Sequence, residues 1–141
     1  MNIQMLINVA TYLRCMQLYY HNCHNMTKGS SFVGDHNLLG EIYPELEGQY
    51  DATIERIMGL SDQPLNLVEL NAKAALMLKN IPQQMSNDEM FKMGLSFEQE
   101  LLKLCEQVDK GGFSSGTRQL VGDHANAAES RVYKLKQRTK Q

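Results

Sequence analysis

Residues 24–57 read "HNMTKGSSFVGDHNLLGEIYPELEGQYDATIERI", and this stretch decides the fold. It opens with two histidines, His24 and His36, on either side of Lys28-Gly29. A basic residue followed by glycine marks a helix end. The cation complements the last carbonyls, and glycine accepts the left-handed backbone beyond them. Leu39, Ile42, Leu46, Tyr50, Ile54 and Ile57 then recur three or four positions apart. That is the period of a helix, so one long amphipathic helix is predicted here, ending near Gly59. Ser30 or Ser31 can cap it by offering an oxygen to an unpaired backbone N–H. Pro44 removes a donor inside it and should bend it, while Gly34, Gly40 and Gly48 lower its propensity. Packing, rather than local preference, has to hold such a helix.

Upstream, Ile3, Leu6, Ala10, Leu13, Met16, Tyr20 and Cys23 form an apolar stripe at the same period, a first helix that stops at Lys28-Gly29. Downstream, Pro64 begins a short helix from about Leu65 to Leu78, and "NIPQQ" breaks it. "SNDEM" starts a third long helix, with Ser86 or Asn87 as cap and Glu89 in the first turn. Its buried side is expected to include Phe91, Leu95, Leu102, Cys105 and Val108. "KGGFSSG" breaks the chain again. A last helix follows, with Val121, Ala125, Ala128, Val132 and Leu135 on one face. Four long helices with a short one in the middle connection describe an all-α, ferritin-like four-helix bundle with one crossover, a single domain over residues 1–141.

Composition agrees with one globular domain. The chain has 141 residues, 43% hydrophobic and 21% charged, enough to bury a core without staples. A net charge of -2 argues against a surface devoted to nucleic acid. Cys15, Cys23 and Cys105 are odd in number, and no CxxC occurs, so a disulfide framework is not expected and a reducing cytoplasm is the natural compartment. The first residues lack the basic leader and cleavage site of a signal peptide, and no run reaches the ~20 apolar residues that span a bilayer.

Chemistry concentrates in the quoted stretch. Asp51 and Glu55 are four positions apart, on one face of the helix, and can share a metal ion. Taken alone, such a pair is an ordinary solvated face. His36 lies in the same helix, about 22 Å away at ~1.5 Å per residue. No ion with ligand bonds of about 2 Å bridges that gap. His24 is near His36 and not near the carboxylates. A single chain therefore offers two half-sites, and a second copy antiparallel across a twofold axis would join them. Imidazole nitrogens with carboxylate oxygens suit iron. His21 and His124 read as surface or capping residues.

These residues also resemble the signature of Dps proteins, the mini-ferritins that protect DNA during starvation. The family pattern is His, three residues, Lys-Gly, an aromatic and a second His, then later an Asp and a Glu before Arg. His24, Lys28, Gly29, Phe32, His36, Asp51, Glu55 and Arg56 fall in register with it. "GLSDQPLNLVEL" is similar to the family's connection into its short middle helix. The resemblance implies a hollow dodecamer with intersubunit centres that oxidise Fe(II), typically with hydrogen peroxide, and store ferric iron. It implies His24 and His36 from one subunit, and Asp51 and Glu55 from its neighbour. Glu55 would bridge, His24 and Asp51 would hold the tighter iron, and His36 would serve the second.

Two positions depart from that pattern. The family carboxylate one turn after the second histidine is Gly40 here, and Glu41 points about 100° away. The family's Trp after the first histidine, a candidate electron donor, is Asn25; Tyr19, Tyr20 or Tyr43 would have to stand in. Slower iron oxidation is expected. Cys23 is read as a small core hydrophobe. At the C-terminus Arg131, Lys134, Lys136, Arg138 and Lys140 carry no interleaved acid. They suit the helix dipole, and Lys134, Lys136, Arg138 and Lys140 also form a candidate DNA-phosphate contact without sequence preference. Three functions compete: an iron-oxidising mini-ferritin, a shell whose site has decayed, and a DNA-compacting protein.

Overall fold

The computed structural model describes residues 1–140; Gln141, the last residue of the basic C-terminal segment, lies outside them. Five helices follow one another: α1 (Ile3–Met26), α2 (Phe32–Leu60), α3 (Leu67–Leu76), α4 (Asn87–Asp109) and α5 (Ser115–Thr139). Strands are absent among the described residues, as the all-α prediction requires. α1 packs on α2 and α4 packs on α5, while α1·α4 and α2·α5 contacts close the square. Asn87 Nδ2, at the start of α4, donates to the Lys28 carbonyl just after α1. α4 therefore begins at the end of the bundle where α1 finishes. α2 and α4 run the same way, and the connection carrying α3 travels the length of the bundle along α1. This is the one-crossover topology of ferritin-like bundles.

The ends of the helices follow the local chemistry. α1 stops before Thr27, and Gly29 takes a φ of 88°, the left-handed backbone that glycine tolerates. Ser86 closes a capping box with Glu89 at the start of α4. Ser31 precedes α2, but its hydroxyl bonds the Asp35 carboxylate rather than a backbone N–H. α3 is shorter than the expected 65–78, because Asn66 caps it through the Glu69 N–H and the chain turns after Leu76. α2 runs through Pro44 without a break.

Leu6, Leu13, Met16, Leu39, Leu46, Ile57, Phe91, Leu101 and Leu135 are fully buried and form the core. Each large apolar side chain contributes about 1.5–3 kcal/mol by leaving water. The stripes expected on α1 and α2 are the buried ones, apart from half-buried Ile3. On α4, Phe91, Cys105 and Val108 are buried as expected, and on α5 so are Val121, Ala128 and Leu135. Gly94, Glu98 and Leu101 are inside, while Leu95 and Leu102 are half-buried. On α5, His124 and Arg131 are inside, and Ala125 and Val132 are half-buried. The reason is a buried polar cluster: Arg131 Nε donates to Glu98 Oε2 (2.8 Å), Tyr20 Oη donates to the same oxygen (2.6 Å), and Arg131 Nη1 pairs with Glu45. Gly94 makes room for Tyr20, whose Oη would lie 3.0 Å from a Cβ there.

His124 departs from its expected surface role. It is 4% exposed, and its Nε2 lies 2.8 Å from Thr53 Oγ1. Thr53 donates its own hydrogen to the Gln49 carbonyl (2.7 Å), so it accepts the Nε2–H. Burial pushes the His124 imidazole down to about 4. No helix among the described residues is long and apolar enough to cross a membrane.

Candidate metal centre

His24 sits in the last turn of α1, and His36 in the opening turns of α2. The tight α1–α2 turn brings their rings to 3.7 Å between centroids at 20°. Each bonds the other's backbone: His24 Nδ1 to the His36 carbonyl, and His36 Nδ1 to the His24 carbonyl, both at 2.8 Å. A carbonyl oxygen only accepts, so each Nδ1 carries the hydrogen. In the neutral rings that leaves both Nε2 atoms with lone pairs. Neither Nε2 has a hydrogen-bond partner among the described residues. This is how a metal-ligating histidine is usually prepared, with one nitrogen anchored and the other aimed outward. Both side chains are half-buried, so the donors are reachable.

Aromatic rings surround the pair. Phe32 stacks on His36 at 4.8 Å, and Tyr43 meets His24 at 5.3 Å and His21 at 4.1 Å. Of the three tyrosines considered from sequence, Tyr43 is the one against the histidines. Tyr19 Oη donates to the Met90 carbonyl and Tyr20 Oη to Glu98, both inside the bundle. Gly40 has a positive role here. A Cβ at that position would lie 3.0 Å from His24 Cε1 and 3.3 Å from Nδ1. The absence of a side chain at Gly40 gives the His24 ring its seat.

Asp51 and Glu55 are exposed on α2. Asp51 borders a surface pocket with Arg14, Pro44, Glu47, Gly48 and Tyr50, where the Arg14 guanidinium lies 3.6 Å over the Tyr50 ring. No group of three or more His, Cys, Asp or Glu side chains among the described residues can hold a metal within one chain. The histidine pair and the Asp51/Glu55 pair lie apart on the described chain, two potential ligands in each. Inside the bundle, the buried Glu98 carboxylate pairs with Arg131, which also reaches the half-exposed Glu45.

The candidate DNA contacts divide. Lys134, Lys136 and Lys140 are exposed. Arg138 is not available to phosphate: it is bidentate to Asp35 (Nε–Oδ1 2.7 Å, Nη2–Oδ2 2.8 Å) and reaches Asp88 through Nη1 (2.8 Å). Asp35 is 3% exposed. Burial alone would raise its carboxyl, but bonds from Arg138, Ser31 and Asn87 hold it below the usual carboxylate range. The sequence shows Asp35 and Asn87 as ordinary polar residues at helix starts, with nothing to mark their pairing with α5.

No family sequence model matches the chain, and no curated protein sequence does. Solved structures do match its shape. Dps from Thermosynechococcus elongatus superposes with a TM-score of 0.87 at 20% identity, covering 99% of this chain and 90% of that one. The Helicobacter cinaedi protein CAIP gives 0.80 at 21% identity, covering 98% and 99%. Dps from Listeria monocytogenes gives 0.80 at 18% identity, covering 96% and 92%. The chain has the Dps, or mini-ferritin, fold over nearly its whole length.

Proposed function

We propose that the chain assembles into a hollow homo-oligomer, a dodecamer by analogy with its resemblance to Dps. Its twofold interfaces would set His24 and His36 of one subunit against Asp51 and Glu55 of the next. Fe(II) is the substrate, hydrogen peroxide the oxidant, and ferric iron the stored product. Each peroxide takes up two protons and two electrons and leaves as water, one electron coming from each of two Fe(II) ions. Removing Fe(II) and peroxide together is what would protect DNA. Three buried, unpaired cysteines suit a reducing compartment such as the cytoplasm.

The observation that carries this reading is the histidine pair. Two imidazoles anchored through Nδ1 leave two free Nε2 donors, with no third ligand grouped with them among the described residues. In the reading, Asp51 and Glu55 would add carboxylate oxygens and the negative charge that favours the ferric product, with Glu55 in the bridging role that the Dps resemblance implies. Gly40 favours a second reading, a shell or DNA-binding protein with weakened oxidation, since it removes an oxygen from the second iron position. DNA binding would then use Lys134, Lys136 and Lys140, and a retained duplex shift at high salt would contradict that contact.

The test is peroxide-driven Fe(II) oxidation followed by gel filtration with iron read in each fraction. The comparison is an Asp51→Ala/Glu55→Ala variant that still assembles. Iron co-eluting with a large assembly, and lost in the variant, supports the first reading. A large assembly with no more iron than the variant supports the second.

A further inference from the structure

We infer that the Asp35–Arg138 ion pair is a positioning element for the histidine pair, so that the end of α5 sets the metal affinity of a site it never touches. This rests on the reading of His24 and His36 as ligands. The two histidines face each other because residues 25–35 make one closed turn. Its outer end is tied by the two 2.8 Å ring-to-carbonyl bonds. Its inner side is tied by a clamp. Asn87 of α4 accepts from the Lys28 N–H (3.3 Å) and donates to the Lys28 carbonyl (2.9 Å) and to Asp35 Oδ2 (3.0 Å). Ser31 donates to Asp35 Oδ2 (2.9 Å). Arg138 holds both Asp35 oxygens and reaches Asp88 of α4, with its guanidinium 4.9 Å over the Phe91 ring.

Asp35 precedes His36 directly. Its buried carboxylate accepts from three residues on three segments, and among the described residues Arg138 is the one cation paired with it. Without that guanidinium the carboxylate is buried with too few partners, and it reaches water by moving the first turn of α2. His36 moves with that turn, its bond to the His24 carbonyl lengthens, and the stacked pair loses its fixed tautomers. Bonds of this outer kind are worth 10- to 100-fold in metal affinity.

The experiment uses the full-length assembled protein. Co(II) is titrated and followed by its visible absorption, with His24→Ala defining the signal from the pair. Separately, hydrogen exchange at the imidazole C2 of His24 and His36 is read by mass spectrometry without metal. Arg138→Gln should lower Co(II) affinity about tenfold or more and speed exchange at both histidines, with His21 unchanged. Arg138→Lys keeps the charge without the two-pronged contact and should fall between. Arg118→Gln breaks the exposed Asp109 pair at the far end of the bundle and should change neither readout. Asp88→Asn removes one arm of the clamp and gives the same direction, more weakly, if Arg138→Gln fails to assemble. Wild-type exchange at His24 and His36 in an assembled Arg138→Gln protein, or in Asp88→Asn where Arg138→Gln does not assemble, overturns the inference. A wild-type protein that binds Co(II) no better than His24→Ala overturns the ligand reading instead, and the exchange data still judge the clamp.

Discussion

In the middle of the bundle, Glu98 of α4 and Glu45 of α2 meet Arg131 of α5; at one end, His24 of α1 meets His36 of α2. Both places gather polar side chains from separate helices. In the middle, the chain supplies its own cation. Desolvation leaves the Glu98 carboxyl above its ordinary range, although Arg131 pulls it back, and Arg131 is held firmly charged by its carboxylate partners. At the end, the chain anchors two rings through one nitrogen each and leaves the others without a partner. Glu98 Oε1 and Arg131 Nη2 also lack partners, but both are sealed inside the core. A polar set that is charge-paired and sealed within the chain serves the fold. One that is incomplete and reachable is available to something outside it.

Stability should separate the two places most sharply. Glu98→Ala removes the buried one of Arg131's two carboxylate partners, leaving only half-exposed Glu45, and is expected to cost about 3 kcal/mol, read from urea unfolding at fixed protein concentration. Replacing Glu98 and Arg131 together by Met should recover most of that loss, because packing replaces a buried ion pair well. His24→Ala, on a half-buried side chain, should cost about 1 kcal/mol or less while abolishing metal binding at the pair. If His24→Ala destabilised as much as Glu98→Ala, the histidines would be part of the fold's support and the contrast would collapse.

Acid sharpens the comparison next. His124 is buried neutral, lowered from 6.5 to about 4. Between those values the unfolded chain holds a proton that the folded chain does not. Stability therefore falls as pH drops through 6.5 and stops falling, for this group, near 4. The loss is about 3 kcal/mol by pH 4. His124→Gln keeps a donor for Thr53 and cannot titrate. It should flatten the fall of the urea midpoint between pH 6.5 and 4, and a slope equal to wild type would assign the fall to other groups.

How much of this was legible follows from what each feature depends on. The α1 and α2 stripes were readable because apolar side chains at helical spacing leave few alternatives. On α4 and α5 the sequence locates part of the buried face, Phe91, Cys105 and Val108 and then Val121, Ala128 and Leu135, but not Glu98, His124 and Arg131, which occupy core positions where hydropathy forbids them. Their burial is licensed by partners from other helices, and no local pattern reports those. The histidines and the acid pair stood out by residue type and spacing. The clamp at Asp35 did not, since Arg138 lies 103 positions away in sequence. Arg138 looked like part of a basic tail until its partners were visible.

Gly40 carries the smallest effect and the one with opposed signs. Within a helix, Ala is preferred to Gly by up to about 1 kcal/mol, so Gly40→Ala should stabilise the isolated effect of α2 by that amount. The new Cβ would meet His24 Cε1 at 3.0 Å and Nδ1 at 3.3 Å. The His24 ring cannot retreat freely, because its Nδ1 holds the His36 carbonyl and its face lies 3.7 Å from the His36 ring. Relieving the contact by a few tenths of an ångström means lengthening that bond. Unfolding in urea should therefore show a gain smaller than about 1 kcal/mol, or none, while Co(II) affinity at the pair falls about tenfold. A full gain in stability with unchanged affinity would mean that the ring has room to move, and that the pair does not depend on glycine at this position.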